Sequence, residues 1–235
     1  MENLSVSYKD WKTGIFPLTG KRLTLANHGR NILLSVCNNE IIATKVTEPL
    51  DPIYPDELRI DSGVFRGVDD GEFYFGEIVF YSDSGEEYQI LDENFRGFYT
   101  VNNKIYVLTG LAHMGSDEGC VYLIFYQNDK WVVKKIINLK SCPNVFMQHN
   151  DETYIVTGKG IVIIKDEKIV DELISDAGWG CLYPHSILMF NDSLFVGMRG
   201  GVYEFNLKVR TGTWYDLLDS NPGLESTEWF KNLDD

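Results

Sequence analysis

No stretch of this chain is long and apolar enough to span a bilayer. Its longest apolar runs, such as Ile161–Ile164 and Val121–Tyr126, have strand length and fall far short of the ~20 residues a span requires. Cysteine is scarce: Cys37, Cys120, Cys142 and Cys181 are widely scattered, with no CxxC. That spacing argues against a zinc site and for free thiols. If any bridge forms, Cys142 with Cys181, in equivalent loops of the repeat described below, is the pair to test. Proline is low, at 7 residues, and positive charge is in short supply: 21 Lys and Arg against 35 Asp and Glu give a formal net charge of −14. A nucleic-acid binder carries a basic footprint that releases counterions from phosphates, and here the sign is reversed. Anionic membrane surfaces are disfavoured for the same reason. The excess acid serves solubility, or it steers a cationic partner.

Catalytic motifs are missing as well. There is no GxSxG, HExxH, P-loop or Cys/His zinc spacing. Gly158-Lys159-Gly160 and Arg199-Gly200-Gly201 fall in hairpin connections and not between a strand and a helix, so they do not read as phosphate cradles. The start, Met1-Glu2-Asn3-Leu4-Ser5, lacks a basic n-region and an apolar h-region, and a cytoplasmic location is expected.

What is present is apolar and aromatic: 44% hydrophobic and 13% aromatic residues, enough for a sizeable core. These residues recur in a pattern. Asn150-Asp151-Glu152-Thr153-Tyr154-Ile155-Val156 resembles Asn191-Asp192-Ser193-Leu194-Phe195-Val196 and Asn102-Asn103-Lys104-Ile105-Tyr106-Val107. Fainter copies centre on Asp69-Asp70-Gly71 and on Asn27-His28-Gly29, and Phe65-Arg66-Gly67 matches Phe95-Arg96-Gly97. Turns at Asn27, Asp69, Asn102, Asn150 and Asn191 recur at roughly 30 to 50 residues, near the period of a four-stranded unit. Asn, Asp and Gly tolerate the positive φ of two-residue hairpins, and β-branched and aromatic residues fill the intervals. Fourth strands are expected at Tyr88–Leu91, Trp131–Ile137, Lys168–Leu173 and Thr211–Leu217. No amphipathic helix interrupts them, although Ser226–Phe230 could form one turn.

The units resemble those of β-propellers over about Lys21 to Leu217, without WD or kelch signatures. The expected fold is therefore all-β: a β-propeller of five four-stranded antiparallel blades, with a β-barrel or sandwich as the alternative. The organisation is a single domain over 1–235, with a propeller core of about 21–217 and an acidic tail, 218–235. Closure would come from the segment around Leu4–Tyr8, or from the C-terminal strand, pairing into a sheet edge.

On such a scaffold the longer connections share one end, where binding residues gather. Among Glu48, Asp51, Tyr54, Asp56, Glu57, Asp92, Glu93, His113, Asp117, Glu118, Trp179, Tyr183 and His185, acids alternate with large rings. The partner-binding residues expected are Tyr54, Asp56, Glu57, Asp92, Glu93, His113, Asp117, Glu118, Trp179 and Tyr183, because rings supply contact area and carboxylates choose the partner's sign. Alternatively these are solvated loop residues, with Trp179 and Tyr183 packing between units. No catalytic residue, cofactor or metal ligand is assigned. A different reading gives His113, Asp117 and Glu118, with Asp56 or Glu57, a divalent cation.

A small acidic chain without a catalytic motif also resembles the immunity proteins of bacterial toxin systems, contact-dependent growth inhibition among them. That resemblance implies a non-catalytic protein whose acidic face captures a basic partner, a nuclease toxin, as a monomer or in a 1:1 complex. The alternatives are a metal-dependent propeller hydrolase of sugars or lactones, and a scaffold propeller in a larger assembly.

Overall fold

In the computed structural model, which describes residues 4–46, 55–70 and 76–234, strands dominate. The chain opens with β1 (Leu4–Ser7) and β2 (Lys12–Gly14), a short helix α1 (Gly20–Asn27), and the hairpin β3 (Asn31–Cys37) to β4 (Glu40–Val46). Three four-stranded sheets follow. The first is β5 (Glu57–Ile60), β6 (Gly63–Val68), β7 (Glu77–Ser82) and β8 (Glu87–Leu91). Next come β9 (Phe95–Val101), β10 (Lys104–His113), β11 (Ser116–Gln127) and β12 (Lys130–Leu139). The third is β13 (Pro143–His149), β14 (Glu152–Thr157), β15 (Ile161–Lys165) and β16 (Lys168–Ile174). The chain closes with β17 (Ser186–Phe190), β18 (Ser193–Met198), β19 (Gly201–Asn206) and β20 (Thr211–Asp216), then two single-turn helices, α2 (Pro222–Glu225) and α3 (Glu228–Lys231).

Among the described residues every pairing is antiparallel, giving five separate sheets of three to five strands, of the β-propeller type. A barrel would be one continuous sheet and a sandwich two. Among the described residues no helix is long and apolar enough to cross a membrane. The chain falls into two compact units, Asp51–Ser175 and the two ends Met1–Leu50 with Asp176–Asp235.

In the unit Asp51–Ser175, successive sheets pack face to face. Phe65, Ile78 and Phe80 meet Phe98, Val107 and Ile124 in one core layer. Leu108, Val121 and Tyr99 meet Phe146, Ile155 and Ile164 in the next. The turns follow the chemistry of the sequence: Asn102 and Asn103 adopt φ of 51° and 60°, and Asn150 takes 57°, the left-handed values that tight hairpins need. The expected fourth strands appear as β8, β12, β16 and β20.

Two of the expected turns lie elsewhere. Asn27 ends α1, and the first hairpin turns at Asn38-Asn39, with φ of 50° and 60°. Helix α1 buries only Ala26, so no apolar stripe announces it. Asp69 follows β6, its sheet turning earlier, between Ile60 and Gly63; residues 71–75 lie outside the described residues. The matching tripeptides Phe65-Arg66-Gly67 and Phe95-Arg96-Gly97 therefore sit on non-equivalent strands, β6 and β9. They serve one purpose nonetheless. A Cβ on Gly67 would overlap the Phe95 ring, and one on Gly97 the Phe146 ring, so each glycine admits an aromatic ring from the following sheet.

In the other unit, β1 pairs with β4, while β2 adds to the edge of β20. The sheet β17–β20 thus gains its fifth strand from the opposite end of the chain. Trp11, Ile32, Ile41 and Ala43 pack with Phe195, Val202 and Leu217. Lys45, nearly fully buried, joins Arg30 on Asp219, each at 2.8 Å. All four cysteines are free thiols.

Candidate functional site

The sheet β9–β12 carries the site. Strands β10 and β11 run past their neighbours: β9 stops pairing at Thr109, and β12 at Gly119. The remaining hairpin turns at Met114-Gly115, with φ of 47° and 91°. At its base a pocket of about 150 Å³ is lined by Asp92, Glu93 and Asn94 of the β8–β9 connection together with residues of β10 to β12. Two β-bulges flank it: Arg96 is the extra residue of β9 opposite Leu108 and Thr109, and Ile136 that of β12 opposite Val121 and Tyr122. A bulge shifts the side-chain phase and re-aims the residues beyond it. Thr109 and Cys120 are direct cross-strand partners, so their side chains share a face, and both line the pocket with Glu118 and Lys135.

The electrostatics are organised around Tyr122. Its hydroxyl donates to Glu93 Oε1 at 2.9 Å. Burial foremost, and then the Glu93 carboxylate, push its pKa up to about 12 against the opposing Lys135 contact, so it stays a donor at neutral pH. Lys135 Nζ lies 5.2 Å from the centre of the Tyr122 ring. The hydrogen bond to Tyr122 is the main cause of its raised pKa, so its charge is retained and spent on the ring. Asp92 Oδ1 accepts from Gln89 Nε2 at 2.7 Å. Three carboxylates thus face one committed ammonium.

Of the residues singled out from the sequence, the structure brings Asp92, Glu93 and Glu118 together on this pocket. His113 is partly exposed at the end of β10. Asp117 braces the loop that follows β12. Its Oδ1 accepts from Ser141 Oγ at 2.7 Å and Cys142 N at 2.9 Å, and Oδ2 pairs with Lys159 at 2.9 Å. Burial raises its pKa, but Lys159, Ser141 and the Cys142 amide outweigh that and hold it below the usual carboxylate range. Asp56 and Glu57 stand exposed at the entry to β5, Glu57 paired with Arg66. Tyr54, like Glu48 and Asp51, lies outside the described residues. Among the described residues no three His, Cys, Asp or Glu side chains gather as metal ligands.

Trp179 and Tyr183 belong to the other unit. Trp179 is a correction to the sequence reading: it is 0% exposed, packed edge-on against Phe16 and Tyr203. A ring so enclosed is core. Tyr183 is 51% exposed, in a left-handed conformation with φ of 49°. The Arg199 guanidinium lies 4.1 Å from its ring centre and bonds Asn27 and Asn31. Beneath it the Nδ1 of buried His185 meets the Tyr183 carbonyl at 2.5 Å. Sequence reasoning missed Thr109, Cys120, Tyr122 and Lys135, which sit inside strands where alternation signals only inward or outward.

No family model and no curated protein sequence matches the chain. Among solved structures it is similar to virginiamycin B lyase from Staphylococcus aureus, at 11% identity and a TM-score of 0.43, over 95% of this chain and 76% of the lyase. A catalytically inactive variant of that lyase with quinupristin gives 11% and 0.43 over 92% and 89%. The tricorn protease gives 10% and 0.41 over 82% of this chain and 27% of the protease, so the chain spans about a quarter of that protein. At these scores the likenesses carry nothing about chemistry or partners.

Proposed function

We propose that this protein is a non-catalytic binding protein that captures a basic protein partner, in its most specific form an immunity protein that neutralises a cognate nuclease toxin. The observation that carries the reading is the convergence of Asp92, Glu93 and Glu118 on one pocket beneath a projecting hairpin, in a chain of net charge −14. Such a field accelerates encounter with a cation and repels competing anions. Carboxylates so placed resemble the phosphates a nuclease binds. The hairpin tip adds an apolar contact, since Met114 is 87% exposed and an unbranched thioether adapts to varied surfaces.

The test is affinity capture from the native cell at ~50 mM and ~500 mM salt, where screening lengths differ about threefold. A single basic protein released by salt, with nuclease activity suppressed by this chain, supports the specific form. A salt-released basic partner without nuclease activity supports capture alone. Recovery only of salt-resistant or acidic partners overturns both.

A further inference from the structure

The floor of the acidic pocket holds a group that nothing in the fold explains. Thr109 is 0% exposed, and among the described residues its hydroxyl has no hydrogen-bond partner. A buried hydroxyl without a partner is destabilising, and such groups are rare unless they have a use. The residue is not placed there by packing alone, because valine would fill the same volume without an orphaned oxygen. Its register opposite Cys120 aims the hydroxyl at the face that lines the pocket. The pairing of β10 with β11 runs unbroken from Ile105 to His113 and sets that phase.

We propose that this pocket takes the cationic end of a basic side chain, a lysine ammonium or an arginine guanidinium, with the Thr109 hydroxyl accepting one of its hydrogen bonds. The inference rests on the capture of a basic partner proposed above and names what the pocket reads. The rim supplies charge through Asp92 and Glu118, while Glu93 is held in place by Tyr122. Lys135 does not compete, because its ammonium is engaged at the Tyr122 ring. An N–H donor entering from solvent reaches carboxylates first and then the Thr109 hydroxyl oxygen at the floor. Both steps favour a cation with several donors over a metal ion, for which no ligand cluster is present among the described residues.

The test uses the full chain and small probes, N-acetyl-lysine methylamide and N-acetyl-arginine methylamide, with the norleucine analogue as a neutral control. Titrations are followed by amide chemical shifts. Saturable shifts at Thr109, Glu118 and Cys120 with either cation and none with the control are expected, the stronger probe identifying which cation is read. Glu118→Gln should weaken binding roughly fivefold. Thr109→Val should weaken it about two- to fivefold while raising the Tm of the free protein, and Thr109→Ser should restore binding. Equal shifts with the neutral control, no shifts at all, or an unchanged affinity in Thr109→Val would overturn the proposal. So would a lower Tm in Thr109→Val, since the hydroxyl would then be serving the fold. Capture of the basic partner by these variants separates the two readings. Capture that survives both substitutions unchanged sinks the pocket and leaves the capture reading standing. Probe binding without any salt-sensitive partner does the reverse.

Discussion

His185 shows how one buried side chain ties this fold to pH. It is 8% exposed, and burial, with Arg199 nearby, lowers its pKa to about 4 against the opposing bond to the Tyr183 carbonyl. The unfolded chain titrates near 6.5, so the neutral ring is favoured in the fold. That stability is fully present above pH ~6.5 and is lost as pH falls toward ~4, in all on the order of 3 kcal/mol. His185→Asn can keep a donor to the Tyr183 carbonyl but cannot titrate. Urea unfolding across pH 4 to 7 should therefore show a flatter profile than the parent, and an unchanged slope would refute the assignment. Gly97 makes a steric prediction at the same scale. A methyl there overlaps the Phe146 ring, so Gly97→Ala should lower stability by about 1–3 kcal/mol, read from the urea midpoint. The acidic half of the pocket was legible residue by residue, because Asp92 and Glu93 stand in an acid-rich connection and Glu118 in an acid-rich stretch at the start of β11. Thr109 and Cys120 were not, since the register of β10 against β11 decides that they share a face, and no residue type at either position announces it. Trp179 misled because a lone Trp in a Gly-rich loop reads as exposed, whereas Phe16 and Tyr203 pack edge-on against it.

At the scale of elements, most left-handed hairpin positions obey one rule and a few break it. Left-handed hairpin positions are filled by Asn or Asp at 38, 39, 102, 103, 128, 129, 150, 166 and 191, but by Glu at 167, Arg at 210 and Met at 114. An L-residue other than Gly, Asn or Asp costs roughly 1–2 kcal/mol in that conformation, and Met114 recovers none of it by burial. Met114→Asn should therefore raise stability by about 0.5–1 kcal/mol in thermal unfolding and weaken partner capture; a gain in stability with capture unchanged would make the tip a simple turn. The same turn rule made the sheets after residue 95 legible. It failed earlier in the chain, where β1 and β2 reach their partners over long sequence separations. Leu4 pairs with Lys45, and Lys12 with Asp216, and nothing local in either segment encodes the partner.

For the whole molecule, the charge of −14 acts in two opposed ways. Like charges repel within the folded chain, and the Debye length falls to ~10 Å at 0.1 M salt. The Tm should therefore rise as salt increases from ~10 to ~200 mM, while capture of a basic partner weakens over the same range. A falling Tm would mean that surface pairs such as Arg59–Asp83 and Lys208–Asp192 outweigh the repulsion, which their exposure argues against.

Composition, turn chemistry and period by themselves determined that this chain is all-β, built of repeated antiparallel sheets with acid-rich connections. Those properties are local: a strand's alternation and a turn's φ depend on neighbouring residues alone. Tertiary structure decided which acids share a pocket, that Asp117 braces a loop while Glu118 beside it lines the site, and that Trp179 is core. It also decided that a threonine hydroxyl is left unpaired beneath the carboxylates. Each of these depends on register and on contacts between strands far apart in sequence, where a shift of one residue moves a side chain to the opposite face.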